Sequence, residues 1–145
     1  MTINESQDEI IEAFSVTDEW LDKYSLLIEW GNDMAPYPEE FRTKEYIIEG
    51  CQSTVWICAR PNEDGTLHLD ADSDAIITKG IVALLINVLS DQKPEEIAKA
   101  DLYFIDRIGL KENLTPTRSN GLLAMIKQIR LYAIAYAAKQ SKSKE

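Results

Sequence analysis

The chain has 145 residues, 45% of them apolar, and a formal net charge of −10. This length favours one domain with a single core, and the apolar content is typical of globular proteins. A chain this acidic repels phosphate backbones, so we expect no nucleic-acid binding. The longest apolar run is too short to span a bilayer, and no signal peptide is visible. We therefore expect a soluble protein of the cytoplasm that does not bind membranes.

The charge is spread unevenly along the chain. Residues 1–50 hold 13 acidic and 3 basic residues, whereas residues 117–145 hold 1 acidic and 6 basic residues. An acidic segment of this kind is usually a solvated surface. It could also steer the chain toward a basic patch on a partner protein. The sequence leaves both interpretations open.

Hydrophobic periodicity predicts two N-terminal helices, at residues 4–14 and at about residues 17–30. Short polar residues that can cap a helix lie at their starts. These are Asn4 or Ser6 for the first helix and Thr17 for the second.

A β-hairpin is predicted in the middle of the chain. Residues 33–45 contain two prolines and no period, which predicts a loop. A short apolar run at 46–48 could form a strand, and a clearer strand covers 53–60. Asp64-Gly65 is a hairpin-turn pair, and residues 66–72 alternate between apolar and polar. The apolar, core-facing residues of this last strand are Leu67, Leu69 and Ala71.

Helices are predicted again after the hairpin. A strongly apolar helix begins at Ser73 or Asp74 and ends near Leu89, and Gly80 in its middle suggests close packing of the helix against the sheet. Shorter helices follow near Pro94 and at 103–108.

The last predicted helix covers about residues 119–139, with a frayed tail at 140–145. Its buried stripe would be Leu122, Ile126, Ile129, Ala133 and Tyr136. No second domain is visible, so residues 1–145 are expected to form one unit. Two or three strands grouped between helices indicate an α+β fold with a small antiparallel sheet.

The two cysteines are candidates for chemistry. If residues 52–58 are extended, the Cα atoms of Cys51 and Cys58 lie on the order of 20 Å apart, whereas a disulfide needs less than about 7 Å. Cys58 lies within a strand and is interpreted as structural. Cys51 follows Gly50 at a junction between loop and strand and precedes the polar Gln52. A buried structural cysteine and a sheltered reactive thiol are both open for Cys51.

Three other residues carry weaker signals. His68 is the only histidine, and it could join Cys51 in a mixed metal site, although no ligand-pair spacing supports one. Arg118 precedes a helix, where a cation opposes the dipole. It could form a surface salt bridge, or it could anchor a carboxylate, a thiolate or a persulfide. Asp74 could be a helix cap.

Three separated stretches of the chain are similar to one known family. They are Gly50–Trp56, Asp72–Ala75 followed by Lys79-Gly80, and Leu114–Leu122. Through them, and over roughly residues 5–138, the chain resembles the SufE family. Members of that family are sulfur acceptors for a cysteine desulfurase in iron–sulfur cluster assembly.

The resemblance implies a function and a fold. The partner would be a PLP-dependent cysteine desulfurase of the SufS type, and Cys51 would take the outer sulfur of the partner's persulfide. The chain would thereby activate the desulfurase and pass the sulfur to an iron–sulfur scaffold. It would need no metal or cofactor of its own, because PLP belongs to the partner. The fold would be the one shared with IscU-type scaffolds, and a homodimer is compatible with the family.

The resemblance also suggests supporting residues. Four residues in the matched stretches are expected to contact the partner or support the loop: Gly50, Gln52, Asp74 and Arg118. Cys58 receives no role. Two alternatives remain, namely an iron–sulfur or zinc scaffold that uses Cys51 and His68, and a passive binding module in which Cys51 is structural.

Overall fold

The computed structural model describes the backbone of residues 1–143 and the side chains of residues 1–140. The described part contains six α-helices and one two-stranded sheet. The elements are α1 (Ile3–Phe14), α2 (Trp20–Asp33), β1 (Val55–Pro61), β2 (Leu67–Ser73), α3 (Ile76–Leu89), α4 (Pro94–Lys99), α5 (Phe104–Arg107) and α6 (Pro116–Ser143). The predicted α+β class is confirmed. No helix within residues 1–143 is long and apolar enough to cross a membrane.

The sheet is an antiparallel hairpin with two strands. The register runs from the Val55–Ser73 pair to the Pro61–Leu67 pair. The predicted core face of β2 is confirmed, because Leu67, Leu69 and Ala71 are all buried. The possible strand at 46–48 contributes only an isolated bridge from Ile47 to Trp56. Its neighbours instead form a 3₁₀ turn, Lys44–Tyr46.

Residues 34–46 form a strap across the outer face of the sheet. Arg42 lies over the rings of Tyr37 and Trp56, 5.2 and 4.8 Å from their centroids. Its guanidinium also pairs with Asp72 on β2, at 2.9 Å. Because the strap covers this face, Cys58 is buried together with the core-facing residues of β1. The segment is irregular, as predicted, but it packs against the face of the sheet that does not face the helices.

Helix α3 is the central element, and it packs against α2 and the sheet. Most of its residues are buried, as its apolar sequence predicts. The prediction for Gly80 named the wrong neighbour. A Cβ at Gly80 would lie only 2.1 Å from the carbonyl oxygen of Leu27 on α2. Gly80 therefore permits the close crossing of two helices, and Gly31 of α2 lies opposite it.

The predicted caps of the first helix are wrong. Thr2 caps α1, because its hydroxyl accepts the Glu5 N–H while the Glu5 carboxylate accepts the Thr2 N–H. Ser6 is buried, and its hydroxyl donates to the carbonyl of Asn87. This reciprocal pair of Thr2 and Glu5 is a capping box, which satisfies two backbone donors at once.

The second helix begins later than predicted. Its N-cap residue is Glu19, and α2 ends at Asp33. The Thr17 hydroxyl instead accepts the Glu19 N–H and donates to Asp22. Thr17 therefore orders the turn before the helix.

The last helix brings its first turns beside the loop that precedes β1. It begins at Pro116, three positions earlier than predicted, and it extends through Ser143. Its fully buried stripe consists of Leu122, Met125, Ile129 and Ala133, whereas Ile126 and Tyr136 are only partly buried. Gln140, where the predicted frayed tail begins, is helical and donates to the carbonyl of Gly65 at 2.7 Å. Residues 144–145 lie outside the described residues.

Candidate functional site around Cys51

Cys51 lies in a short loop between the bridge at Ile47 and the start of β1. The loop is closed on one side by the Ile48 N–H, which donates to the carbonyl of Val55 at 2.8 Å. Gly50 has a φ of +94°, a conformation that side chains other than glycine rarely adopt. Gly50 therefore forms, just before Cys51, a turn in which most other residues would be strained.

The other end of the loop is tied to the start of α3. The Thr54 N–H donates to the carboxylate of Asp74 at 3.0 Å, and the Asp74 N–H donates back to the carbonyl of Thr54 at 3.2 Å. The Ser73 hydroxyl donates to the same carbonyl at 2.8 Å. The N-cap residue of α3 is Ala75, so Asp74 does not cap that helix. Its carboxylate holds the backbone three residues after the thiol.

The Cys51 side chain is half-buried against α6. Its Sγ–H donates to the carbonyl of Gly121 at 3.6 Å. A Cβ at position 121 would lie 3.4 Å from that sulfur, so the glycine leaves space beside the thiol. Burial raises the pKa of the Cys51 thiol above its ordinary value. The isolated chain therefore holds the thiol largely protonated at neutral pH.

The thiol faces a small cavity of about 80 Å³. Besides Cys51, the cavity is lined by Gln52, Ser53, Thr78, Ile81, Thr117, Arg118, Gly121 and Met125. Gln52 and Arg118 are exposed, whereas Thr78 and Gly121 are buried. Among the described residues the Arg118 guanidinium has no ion-pair partner. The mouth therefore carries a cation and an amide, above a floor of apolar side chains.

The structure places His68, the other predicted ligand of a mixed metal site, away from Cys51. His68 contacts Asp91 at 2.8 Å and Asp70 at 3.3 Å. In the strand register His68 lies opposite Arg60, near the hairpin turn and at the other end of the sheet from the Cys51 loop. Cys51 and His68 are therefore not brought together. Within the described residues no group of three or more His, Cys, Asp or Glu side chains could hold a metal ion.

Cys58 lies beneath the strap, with 1% of its surface exposed. Burial raises the pKa of its thiol, which also contacts Tyr37. Both cysteines are free. A covered thiol of this kind is a packing element, which agrees with the structural interpretation of Cys58.

Sequence reasoning predicted only three of the nine residues that line the cavity, namely Cys51, Gln52 and Arg118. Thr78 and Gly121 are among those it missed. Thr78 follows an apolar pair in α3, and nothing in the sequence distinguishes it from other helical residues. Gly121 did carry a signal, because a glycine inside a helix costs about 1 kcal/mol relative to alanine. Such a residue indicates that a backbone or a neighbouring group approaches closely.

Comparisons with known proteins agree with this architecture. A SufE family model, described as an Fe-S metabolism associated domain, matches residues 8–133. This chain belongs to the SufE family. An uncharacterized SufE-like protein of Rhizobium meliloti (strain 1021) is 39% identical over 129 residues, which cover 86% of this chain and 92% of that protein. The resemblance seen in the sequence is thereby confirmed, and the chain has a role in iron–sulfur metabolism.

A solved structure shares the fold. It is the solution structure of a hypothetical protein from Thermus thermophilus, with a TM-score of 0.75 and 22% sequence identity. The match covers 92% of this chain and 96% of that one. The small antiparallel sheet packed against helices is therefore an arrangement that an experimentally determined protein also adopts.

Proposed function

We propose that Cys51 accepts sulfur from a cysteine desulfurase as a persulfide and passes it on for iron–sulfur cluster assembly. The observation that carries the proposal is the half-buried thiol of Cys51, which faces a small cavity from a loop tied at both ends. Such a thiol can be reached by a partner protein and is also sheltered from bulk solvent. SufE family membership supports a sulfur-related role.

The proposed transfer is a thiol exchange without net oxidation or reduction. The Cys51 thiolate attacks the outer sulfur of the donor's persulfide and forms a new S–S bond. The S–S bond in the donor breaks, and the donor cysteine leaves as a thiolate that takes up the proton released by Cys51. Removing the persulfide frees the donor cysteine for another turnover, which explains how the chain would activate the desulfurase.

Ionisation of the Cys51 thiol is unfavourable in the isolated chain. Exchange requires the thiolate, and burial raises the pKa of this thiol. Among the described residues, no base lines the cavity. We therefore assign activation of Cys51 to the complex with the donor, in which the surroundings of the loop change. This dependence suits a relay that should not react with small molecules while it waits.

The partner we propose is a PLP-dependent desulfurase of the SufS type, which would bring the only cofactor of the reaction. Arg118 and Gln52 are exposed at the mouth of the cavity, where a docking protein would meet them. A reducing compartment such as the cytoplasm keeps both cysteines free between transfers.

The test is intact mass after incubation with a SufS-type desulfurase and free cysteine. We expect the chain to gain at least one sulfur atom, which a reducing agent removes. Cys51→Ser should abolish the gain, and the matched variant Cys58→Ser should keep it. A gain that follows Cys58 instead of Cys51 would contradict the site assignment, and no gain in any variant would contradict the function.

A second pair of samples separates the relay from the metal-scaffold alternative. Because His68 lies away from Cys51, His68→Ala and prior treatment with a chelator should both leave the sulfur gain unchanged. Loss of the gain in both samples would favour a metal site instead.

A further inference from the structure

Thr78 has a feature that its place in a helix does not explain. The residue is 7% exposed, and its hydroxyl has no hydrogen-bond partner among the described residues. The hydroxyl is not itself a fully buried atom, so part of its surface remains open. A threonine inside a helix can bond to the carbonyl four residues earlier, which here belongs to Asp74, but that bond is not made. A hydroxyl that no protein group satisfies is free to bond to a group that enters the space beside it.

The hydroxyl lies in the lining of the cavity that Cys51 faces. The cavity volume is about 80 Å³, whereas one water molecule occupies about 30 Å³ of the liquid. A sulfur atom is comparable to a water molecule in size, and an S–S bond is about 2 Å long. One sulfur atom added to Cys51 therefore fits within the cavity.

We propose that this cavity is a subsite for the outer sulfur of the Cys51 persulfide, and that the Thr78 hydroxyl donates a hydrogen bond to that sulfur. The inference rests on the proposed function, because it requires Cys51 to carry sulfur. Ile81 and Met125 supply an apolar floor, and Thr78 supplies a donor that no other described residue uses. Hydrogen bonds to an ionised acceptor are about twice as strong as those between neutral groups, so the bond is strongest for the persulfide anion.

The consequence is retention of the sulfur between transfers. A small thiolate removes the sulfur by attacking the outer atom, which forms the small molecule's own persulfide and releases the Cys51 thiolate. An outer sulfur inside the cavity is shielded from this attack, and the hydrogen bond from Thr78 holds it there. A partner that moves the loop exposes it again.

The test loads the chain with inorganic polysulfide at alkaline pH, where a fraction of the Cys51 thiol is ionised even though burial raises its pKa, so that loading does not depend on a desulfurase. In a Cys58→Ser background only Cys51 can be loaded. After excess polysulfide is removed, glutathione is added, and intact mass follows the loss of sulfur over time at several pH values. Thr78→Val removes the hydroxyl and keeps the shape, Thr78→Ser keeps the hydroxyl, and Thr117→Val removes an exposed hydroxyl from the same cavity lining.

We expect Thr78→Val to lose its sulfur about tenfold faster than the parent, as one hydrogen bond to an anion predicts. The difference should shrink at acid pH, where the persulfide is protonated. Thr78→Ser and Thr117→Val should retain sulfur as the parent does. Equal retention in Thr78→Val and the parent, or equal acceleration by Thr117→Val, overturns the inference.

Two further results keep the outcomes separate. Thermal unfolding checks that each variant is folded, and Thr78→Ala replaces Thr78→Val if the valine variant is not. A parent chain that takes no sulfur from polysulfide overturns this inference. A parent chain that loads from polysulfide but not from a desulfurase overturns the proposed function alone.

Discussion

Replacement of Gly121 by alanine should make the chain more stable and its thiol less reactive. Gly121 lies in the second turn of α6 and has no positive φ, so an alanine fits the backbone. Its methyl would lie 3.4 Å from Cys51 Sγ, 3.8 Å from Cα and 3.9 Å from Cβ, which are ordinary contacts. Helix propensity then predicts a gain of about 1 kcal/mol in the free energy of unfolding. For a chain of this length, 1 kcal/mol raises the melting temperature by about 2–4 °C.

The same methyl should restrict access to the sulfur. It would occupy the space that the glycine leaves on the α6 side of the thiol, so Cys51 should react more slowly with iodoacetamide. The assay is alkylation followed by intact mass in a Cys58→Ser background, together with urea unfolding of the same samples. Asn120→Ala is the matched control, because residue 120 is an exposed neighbour whose replacement improves helix propensity without lining the cavity.

Three results would refute this reasoning. A loss of stability in Gly121→Ala would mean that the backbone at position 121 cannot accept a side chain. Alkylation at the parent rate would mean that the thiol reacts from a conformation in which it has left Gly121. Slower alkylation in Asn120→Ala to the same degree would assign the effect to helix stability instead.

Gly80→Ala should cost about 3 kcal/mol or more of unfolding free energy, because its methyl would overlap the backbone of α2; an unchanged urea midpoint would contradict this. Asp74→Ala removes the acceptor of the Thr54 N–H, so it should cost about 1 kcal/mol and speed alkylation of Cys51, whereas an unchanged rate would show that the loop does not depend on this bond. Because burial raises the pKa of Cys51 above 9.0, alkylation in the folded chain should keep rising above pH 9.0, while the urea-unfolded chain levels off near the ordinary value of about 8.5; coincident curves would contradict it. The free energy of unfolding should fall as Cys51 ionises in the alkaline range. The stabilisation by the protonated thiol is fully present below the pKa of the unfolded chain, and it is lost as pH rises through the raised pKa of the folded chain.

Much of the local structure could be read from the sequence because it depends on neighbouring residues. Alternation along β2 identified its buried face, and the Asp64-Gly65 pair identified the hairpin turn. The glycine before Cys51 marked a special backbone position, which the φ of +94° at Gly50 explains. The family was visible too, since its stretches are contiguous in the chain.

The tertiary structure decided which elements meet. Periodicity tells which face of an element is apolar, but not what covers it. The sequence therefore could not show that Gly80 faces another helix, or that a strap buries Cys58. The site was hidden for the same reason. Cys51 and Gly121 are 70 positions apart, and they meet only because α6 packs beside the loop that carries the thiol. Helix α3 brings Thr78 to the same cavity.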